Sequence, residues 1–208
     1  MQTIIFDFDS TLINCESLEV ILQDALKDRP ADKAAFEALT RQGMEGQLGF
    51  HASLTQRLAL AKPTQAMLID FMVDGMQYVT KGMAELIQKL QAGGDAVWII
   101  SGGFYDVILP LGLKLGIPES HIHAVQARWN DNGDFAGLVK GDAFAQSKLA
   151  GAKALASTWQ GKTVMVGDGM TDYALYEAGL VNEFVAYTEH VSRPSVLAKA
   201  KTQASNVK

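Results

Sequence analysis

The sequence predicts an α/β protein: a Rossmann-like parallel sheet core with an inserted helical cap and a small β-hairpin. Three observations carry this. The runs Ile4-Ile5-Phe6, Ala96-Val97-Trp98-Ile99-Ile100 and Val164-Met165-Val166 are rich in β-branched or aromatic residues and too short for buried helices. They lack polar alternation, as strands covered by helices on both faces do. The long stretch between the first two runs carries helical periodicity of its own, more than one crossover helix needs.

In chain order, the first strand is followed by Leu18, Ile21, Leu22, Ala25 and Leu26 at the i, i+3, i+4, i+7, i+8 spacing of an amphipathic helix. Further helices fit residues 32–42, 48–61 and 64–77, with Gly43, Gly46 and Pro63 as breaks. Residues 14–79 then form the cap, and 1–13 with 80–208 the α/β core. After the second strand comes a helix containing Tyr105, Val107 and Ile108. Weaker strands fit 122–125 and 184–187. Between these, 124–129 and 134–140 flank Asn130-Asp131-Asn132-Gly133, an Asn-Gly hairpin signal. The acidic turn lacks the spacing of a calcium loop and reads as solvated. Residues 198–208 read as a fraying polar terminus.

Of 208 residues, 48% are hydrophobic and 20% charged, which supplies a full core and argues against disorder. A net charge of −5 gives no broad attraction to nucleic acid or anionic membrane, so neither is an expected partner. No run approaches membrane-spanning length, and the first residues lack the pattern of a signal peptide. The single cysteine, Cys15, cannot pair within the chain and reads as a small core residue. A cytoplasmic protein is expected.

The three strong runs lead into Asp7-Phe8-Asp9, Ser101-Gly102-Gly103 and Gly167-Asp168-Gly169. Asp, Ser and Gly make turns anywhere, but in an open parallel sheet ligands sit beyond the carboxyl ends of the strands, where all three segments meet. Asp7 and Asp9, two apart, lean the same way, and a cation relieves their repulsion. With Asp168 they form a hard oxygen set that favours Mg²⁺; the four histidines are scattered and read as surface or core. Ser101 with Gly102 and Gly103 offers a hydroxyl and unhindered N–H groups to an anion. Lys148, alone a solvated lysine, could here supply a fixed positive charge. The set suits phosphoryl transfer through an aspartyl phosphate. Acyl transfer fits less well because Ser101 lacks the Gly-x-Ser-x-Gly setting. Glycoside hydrolysis by Asp7 and Asp9 leaves Ser101, Lys148 and Asp168 without roles.

Asp7-Phe8-Asp9-Ser10-Thr11-Leu12, Ser101-Gly102-Gly103, Lys148 and Gly167-Asp168-Gly169-Met170-Thr171-Asp172 resemble the four motifs of haloacid dehalogenase-superfamily phosphatases. The resemblance implies Asp7 as nucleophile, Asp9 as general acid and base, and Ser101 and Lys148 on the phosphoryl oxygens. It implies Mg²⁺ on Asp7, Asp168 and the Asp9 backbone carbonyl, with Asp172 in support of Lys148 and the metal's water shell.

Phe50, Leu54 and Arg57 fall on one helical stripe, so a guanidinium interrupts an apolar face; a snorkelling side chain is the plain alternative. Glu16, taken alone, reads as solvated. Together, Glu16, Met44, Phe50 and Arg57 resemble the phosphoserine phosphatase family. That resemblance implies Glu16 on the substrate ammonium, Arg57 on its carboxylate, and Met44 and Phe50 closing over O-phosphoserine. Gly102, Gly103 and Thr171 complete the implied substrate contacts; Thr171 stands where many relatives have asparagine, and Lys81-Gly82 where Pro-Gly is common. Control through an amino-terminal regulatory domain, which some relatives carry, is not expected. A phosphotransferase passing the group to another alcohol such as homoserine, another small-molecule phosphomonoesterase and a receiver-type phospho-acceptor module stand as alternatives; oligomeric state is left open.

Overall fold

Gln2–Phe6 forms strand β1, and alternate side chains leave it in opposite directions: Ile4 and Phe6 into one apolar cluster, Ile5 into another. In the computed structural model, which describes residues 1–44 and 47–207 apart from the side chains of Gln23, Asp24 and Met44, β1 lies near the middle of a six-stranded sheet. On one side stand β2 (Ala96–Phe104) and then β3 (Ile122–Val125). A hairpin of β4 (Ala127–Trp129) and β5 (Phe135–Leu138) follows in sequence, outside this sheet. On the other side of β1 stand β6 (Lys162–Gly167), β7 (Glu183–Tyr187) and β8 (Thr202–Ala204). Every pairing in the large sheet is parallel. The chain builds outward from β1 to β3, then returns to build outward from β6. The strand order therefore reverses between β1 and β6, and a crevice opens there beyond the carboxyl ends.

Residues 14–79 hold helices α1 (Ser17–Leu26), α2 (Pro30–Met44), α3 (Phe50–Ala61) and α4 (Gln65–Val73). Their inner faces bury Leu22, Leu54, Leu58 and Leu68. The segment leaves and re-enters through one paired neck. Ile13 bridges Val79, Asn14 N–H donates to the Tyr78 carbonyl at 2.8 Å, and Thr80 N–H donates to Leu12 at 2.9 Å. The core helices are α5 (Met83–Ala92), α6 (Tyr105–Lys114), α7 (Ala143–Gln146), α8 (Lys148–Leu155), α9 (Met170–Glu177) and α10 (Pro194–Leu197).

Several expectations are corrected. Gly43 does not end a helix but lies inside α2, where a Cβ would stand 2.7 Å from Ser53 Oγ of α3; it lets two helices approach. Gly46 lies outside the described residues. The helix expected over 64–77 stops at Val73 and continues as a separate 3₁₀ turn, Gly75–Tyr78. The stretch 198–208 is not a frayed end: Thr202–Ala204 adds to β7, and Thr188 N–H donates to the Ala204 carbonyl at 2.8 Å. Its polar side chains suit an exposed edge strand, which hides it from an apolar-run criterion. The hairpin turn is not only solvated. Gln65 N–H donates to the Gly133 carbonyl at 2.8 Å and Phe135 N–H to the Pro63 carbonyl at 3.1 Å, so an otherwise unpaired donor at the start of α4 is satisfied by the hairpin. Among the described residues, no helix is long and apolar enough to cross a membrane.

Candidate active site

Asp7 extends the sheet by one step: its N–H donates to the Val166 carbonyl at 2.9 Å, which fixes it at the β1/β6 reversal. Its Oδ1 accepts the Phe8 N–H at 2.6 Å and meets Lys148 Nζ at 2.6 Å. Both donors converge on one oxygen, and Oδ2 carries no hydrogen bond among the described residues. The chain then winds through a π-turn, Phe8–Leu12, in which Ser10 takes a left-handed conformation (φ 51°). Asp9 Oδ1 accepts the N–H of Ser17, the first residue of α1, at 2.9 Å. A Cβ built on Gly103 would stand 3.4 Å from Asp9 Oδ2, so the second oxygen faces the glycine-lined wall.

Ser101, Gly102 and Gly103 do not end β2; the strand continues to Phe104 through a shift of register against β3. Ser101 Oγ accepts the Gly103 N–H at 3.0 Å, which leaves the hydroxyl proton to donate. A Cβ on Gly102 would stand 2.8 Å from the Phe50 ring, so glycine here lets α3 rest on β2. His51, next to Phe50, makes a 2.9 Å contact with the Ala145 carbonyl of α7. Lys148 opens α8 behind Ser147, whose Oγ caps the helix by accepting the Ala150 N–H at 3.0 Å. Its Nζ also donates to Asp172 Oδ1 at 2.7 Å, while Asp172 Oδ2 accepts the Gly169 N–H at 3.0 Å. Asp172 is fully enclosed, and a Cβ on Gly167 would fall 2.4 Å from its Oδ2.

These groups line a cavity of about 360 Å³, within the size range of small-molecule sites. It takes in every site residue expected from sequence except Asp172, which sits behind Lys148, and Met44, whose side chain lies outside the described residues. Arg57 does not snorkel: it is 9% exposed. Its Nη1 makes one 3.5 Å bond to Thr40, its Nε has no partner among the described residues, and its guanidinium lies 5.7 Å from the Phe36 ring centre. Burial lowers its pKa, while Glu16, Glu19 and Asp9 act in the opposite direction. A guanidinium in this state keeps donors that a carboxylate would satisfy. Nor is Glu16 free in solvent; it accepts the Ser10 hydroxyl at 2.8 Å and meets Arg193 Nη2 at 3.3 Å. Burial, then Asp9 and Asp168, push its pKa up to about 7.

Arg193 was not expected from sequence. Its Nε and Nη2 stand 2.9 and 2.8 Å from Asp168 Oδ2. It lies in a polar stretch after β7, where only the following Pro194 marks a fixed backbone.

Burial pushes the Asp7 carboxyl well above the usual range; Asp172 and Asp168 push the same way, against Lys148. Asp9 and Asp168 are also raised, again chiefly by burial. Burial alone would lower the Lys148 pKa, but Asp172 and Asp7 more than offset it, so the ammonium stays charged. Oxygens of Asp7, Asp168 and Asp172 lie within 4.8 Å of one another. Asp7, Asp9, Glu16, Glu19, Asp168 and Asp172 outnumber the cations Arg57, Lys148 and Arg193, and the donors are hard oxygens, so the residues fit a divalent metal such as Mg²⁺. Cys15 supplies no thiolate: burial, with Asp9 and Glu16, pushes its thiol up to about 12.

A parallel sheet with this reversal, a helical insertion after β1 and carboxylates clustered on a lysine define a phosphoric monoester hydrolase of the haloacid dehalogenase-like class. The chain matches the haloacid dehalogenase-like hydrolase family over residues 4–177 and belongs to it. Within that class it belongs with the phosphoserine phosphatases. It is 32% identical to the phosphoserine phosphatase of Bos taurus over 203 residues, covering 96% of this chain and 87% of the bovine protein. A phosphoserine phosphohydrolase-like protein from Francisella tularensis superposes with a TM-score of 0.93 at 40% identity, covering 100% of this chain and 96% of that one. A phosphoserine phosphatase solved as a phospho-aspartyl intermediate analogue gives 0.79 at 26% identity, covering 99% and 93%.

Proposed function

We propose that the protein hydrolyses O-phospho-L-serine to L-serine and phosphate, with Mg²⁺ and an aspartyl phosphate on Asp7. The observation that carries this is Arg57: a buried guanidinium with no carboxylate partner among the described residues, lining the same cavity as Glu16 and Asp7. A ligand with a carboxylate for Arg57, an ammonium for Glu16 and a phosphate for Lys148 and Ser101 fills all three needs.

Asp7, Asp168 and the Asp9 backbone carbonyl would hold Mg²⁺, which when bound neutralises charge on the phosphoryl oxygens and the carboxylates. Lys148 and the free hydroxyl proton of Ser101 orient the phosphoryl group, with Gly102 and Gly103 leaving room for it and Thr171 at the cavity wall. Asp7 Oδ2 attacks phosphorus while Oδ1 stays held by Lys148 and the Phe8 N–H. As the bond from phosphorus to the serine oxygen breaks, Asp9 gives that oxygen its proton; the raised pKa of Asp9 favours the protonated form this requires. Asp9, now ionised, takes a proton from a water attacking the phospho-aspartate, the bond from phosphorus to Asp7 breaks, and both carboxyls return to their starting state. Residues 14–79 act as the specificity cap over the 1–13 and 80–208 core, with Phe50 closing the cavity and excluding water. A cytoplasmic setting agrees with the single cysteine.

The test is phosphate release from L-phosphoserine against other phosphomonoesters, with and without Mg²⁺. Phosphoserine is expected to be preferred and the rate to require the metal. Asp7→Asn is expected to abolish turnover with the far-UV dichroism retained. Full turnover by that variant ends the mechanism, and a new phosphate ester formed from an added alcohol favours a phosphotransferase.

A further inference from the structure

Arg193 lies outside the four motifs, yet it touches two carboxylates that reach the cavity from opposite parts of the chain: Asp168 beyond β6 and Glu16 at the entrance to the insertion. Glu16 and Asp168 line the cavity; Arg193 stands behind them. We propose that Arg193 is a positioning residue that holds the Glu16 carboxylate at the ammonium end of the cavity and so sets selectivity for phosphate esters bearing an amino group. This rests on the phosphoserine reading above.

The geometry requires an arginine. Nε and Nη2 both engage Asp168 Oδ2, and Nη2 also reaches Glu16 Oε1 at 3.3 Å. A guanidinium spans two carboxylates with fixed directions, which the point charge of a lysine cannot reproduce. The backbone is prepared for this task. Arg193 is held extended (φ −106°, ψ 112°), the region that the following Pro194 favours, and its carbonyl accepts the N–H groups of Val196 and Leu197, each at 3.0 Å. Without Arg193, Glu16 keeps the Ser10 hydroxyl but loses its ion-pair partner and faces Asp9 and Asp168. Like-charge repulsion then drives its carboxylate out of line, and the ammonium loses its partner.

The test compares L-phosphoserine with its deamino counterpart, the phosphate monoester of 3-hydroxypropionate, in wild type, Arg193→Met and Arg193→Lys, all with Mg²⁺. L-serine binding to the chelated proteins, measured by calorimetry, gives a readout apart from turnover. In Arg193→Met the ratio of kcat/KM for the two esters is expected to drop at least about tenfold, mainly through KM for phosphoserine, with a matching loss of L-serine affinity. Arg193→Lys is expected to fall between, and it decides the matter if the Met variant does not fold. A ratio that stays within about twofold of wild type in both variants, whether or not the rates fall together, overturns the proposal, because Arg193 then acts only through Asp168 or the fold. A wild type that does not prefer phosphoserine to the deamino ester overturns the phosphoserine reading itself.

Discussion

Arg57 shows how one side chain's environment decides between two roles. On the helical stripe it could have been a cation reaching for water; its burial, with Nε unpartnered among the described residues, is what supports the proposed role as receptor for a ligand carboxylate. Arg57→Ala is therefore expected to raise KM for L-phosphoserine by roughly tenfold or more, the worth of a charge-assisted pair, with a smaller effect on a phosphomonoester that has no carboxylate. Steady-state kinetics on both substrates checks this; equal losses would make Arg57 structural. At this scale the acids were legible because Asp7, Asp9 and Asp168 directly follow strands that announce themselves. Arg193 was not, since its contacts with Glu16 and Asp168 span 177 and 25 residues and no local spacing encodes them.

Among the elements, the turn from β6 into α9 is held by a contact that tolerates no added atom. Gly167→Ala would place a methyl carbon 2.4 Å from Asp172 Oδ2, so either the strand end or the Asp172–Lys148 pair must shift. A loss of about 1–3 kcal/mol in stability by urea denaturation is expected, together with a drop in turnover. Unchanged values in both measurements would show that the junction relaxes freely. The strands that bear site residues were readable because both faces are buried and the apolar run is unbroken. Strand β8 was not: it sits on the edge, where Thr202 and Gln203 face solvent, and pairing rather than composition makes it a strand. Gly43 misled for a related reason, since its use is a helix-to-helix contact that a one-dimensional pattern cannot display.

Across the whole molecule, the crowding of carboxylates sets how stability responds to pH. Asp7, Asp9, Glu16 and Asp168 all hold protons more tightly folded than unfolded. Through these four groups the native state binds more protons than the unfolded chain, so the stability they contribute is fully present below the ordinary carboxylate range and is lost as pH rises through the folded values. For Glu16 that window runs from 4.5 to about 7, worth roughly 3 kcal/mol with the effect of its neighbours included. Chelated protein is expected to melt at a lower temperature at pH 8 than at pH 5.5, and Mg²⁺ to raise Tm more at pH 8 than at pH 5.5. A chelated protein more stable at pH 8 would contradict the raised proton affinity of these carboxyls. The parallel sheet, the helical insertion and the meeting of strand ends were visible in the sequence, because they follow from unbroken apolar runs, the helical periodicity between the first two and the reactive residues after each run. The balance of charge was not, since it depends on which cations fold inward.

The paired neck at Ile13 and Val79 has one more consequence. A polypeptide that departs from a scaffold and comes home at adjacent positions puts no tension between the strands it links, because both its ends are tied to each other before either reaches the sheet.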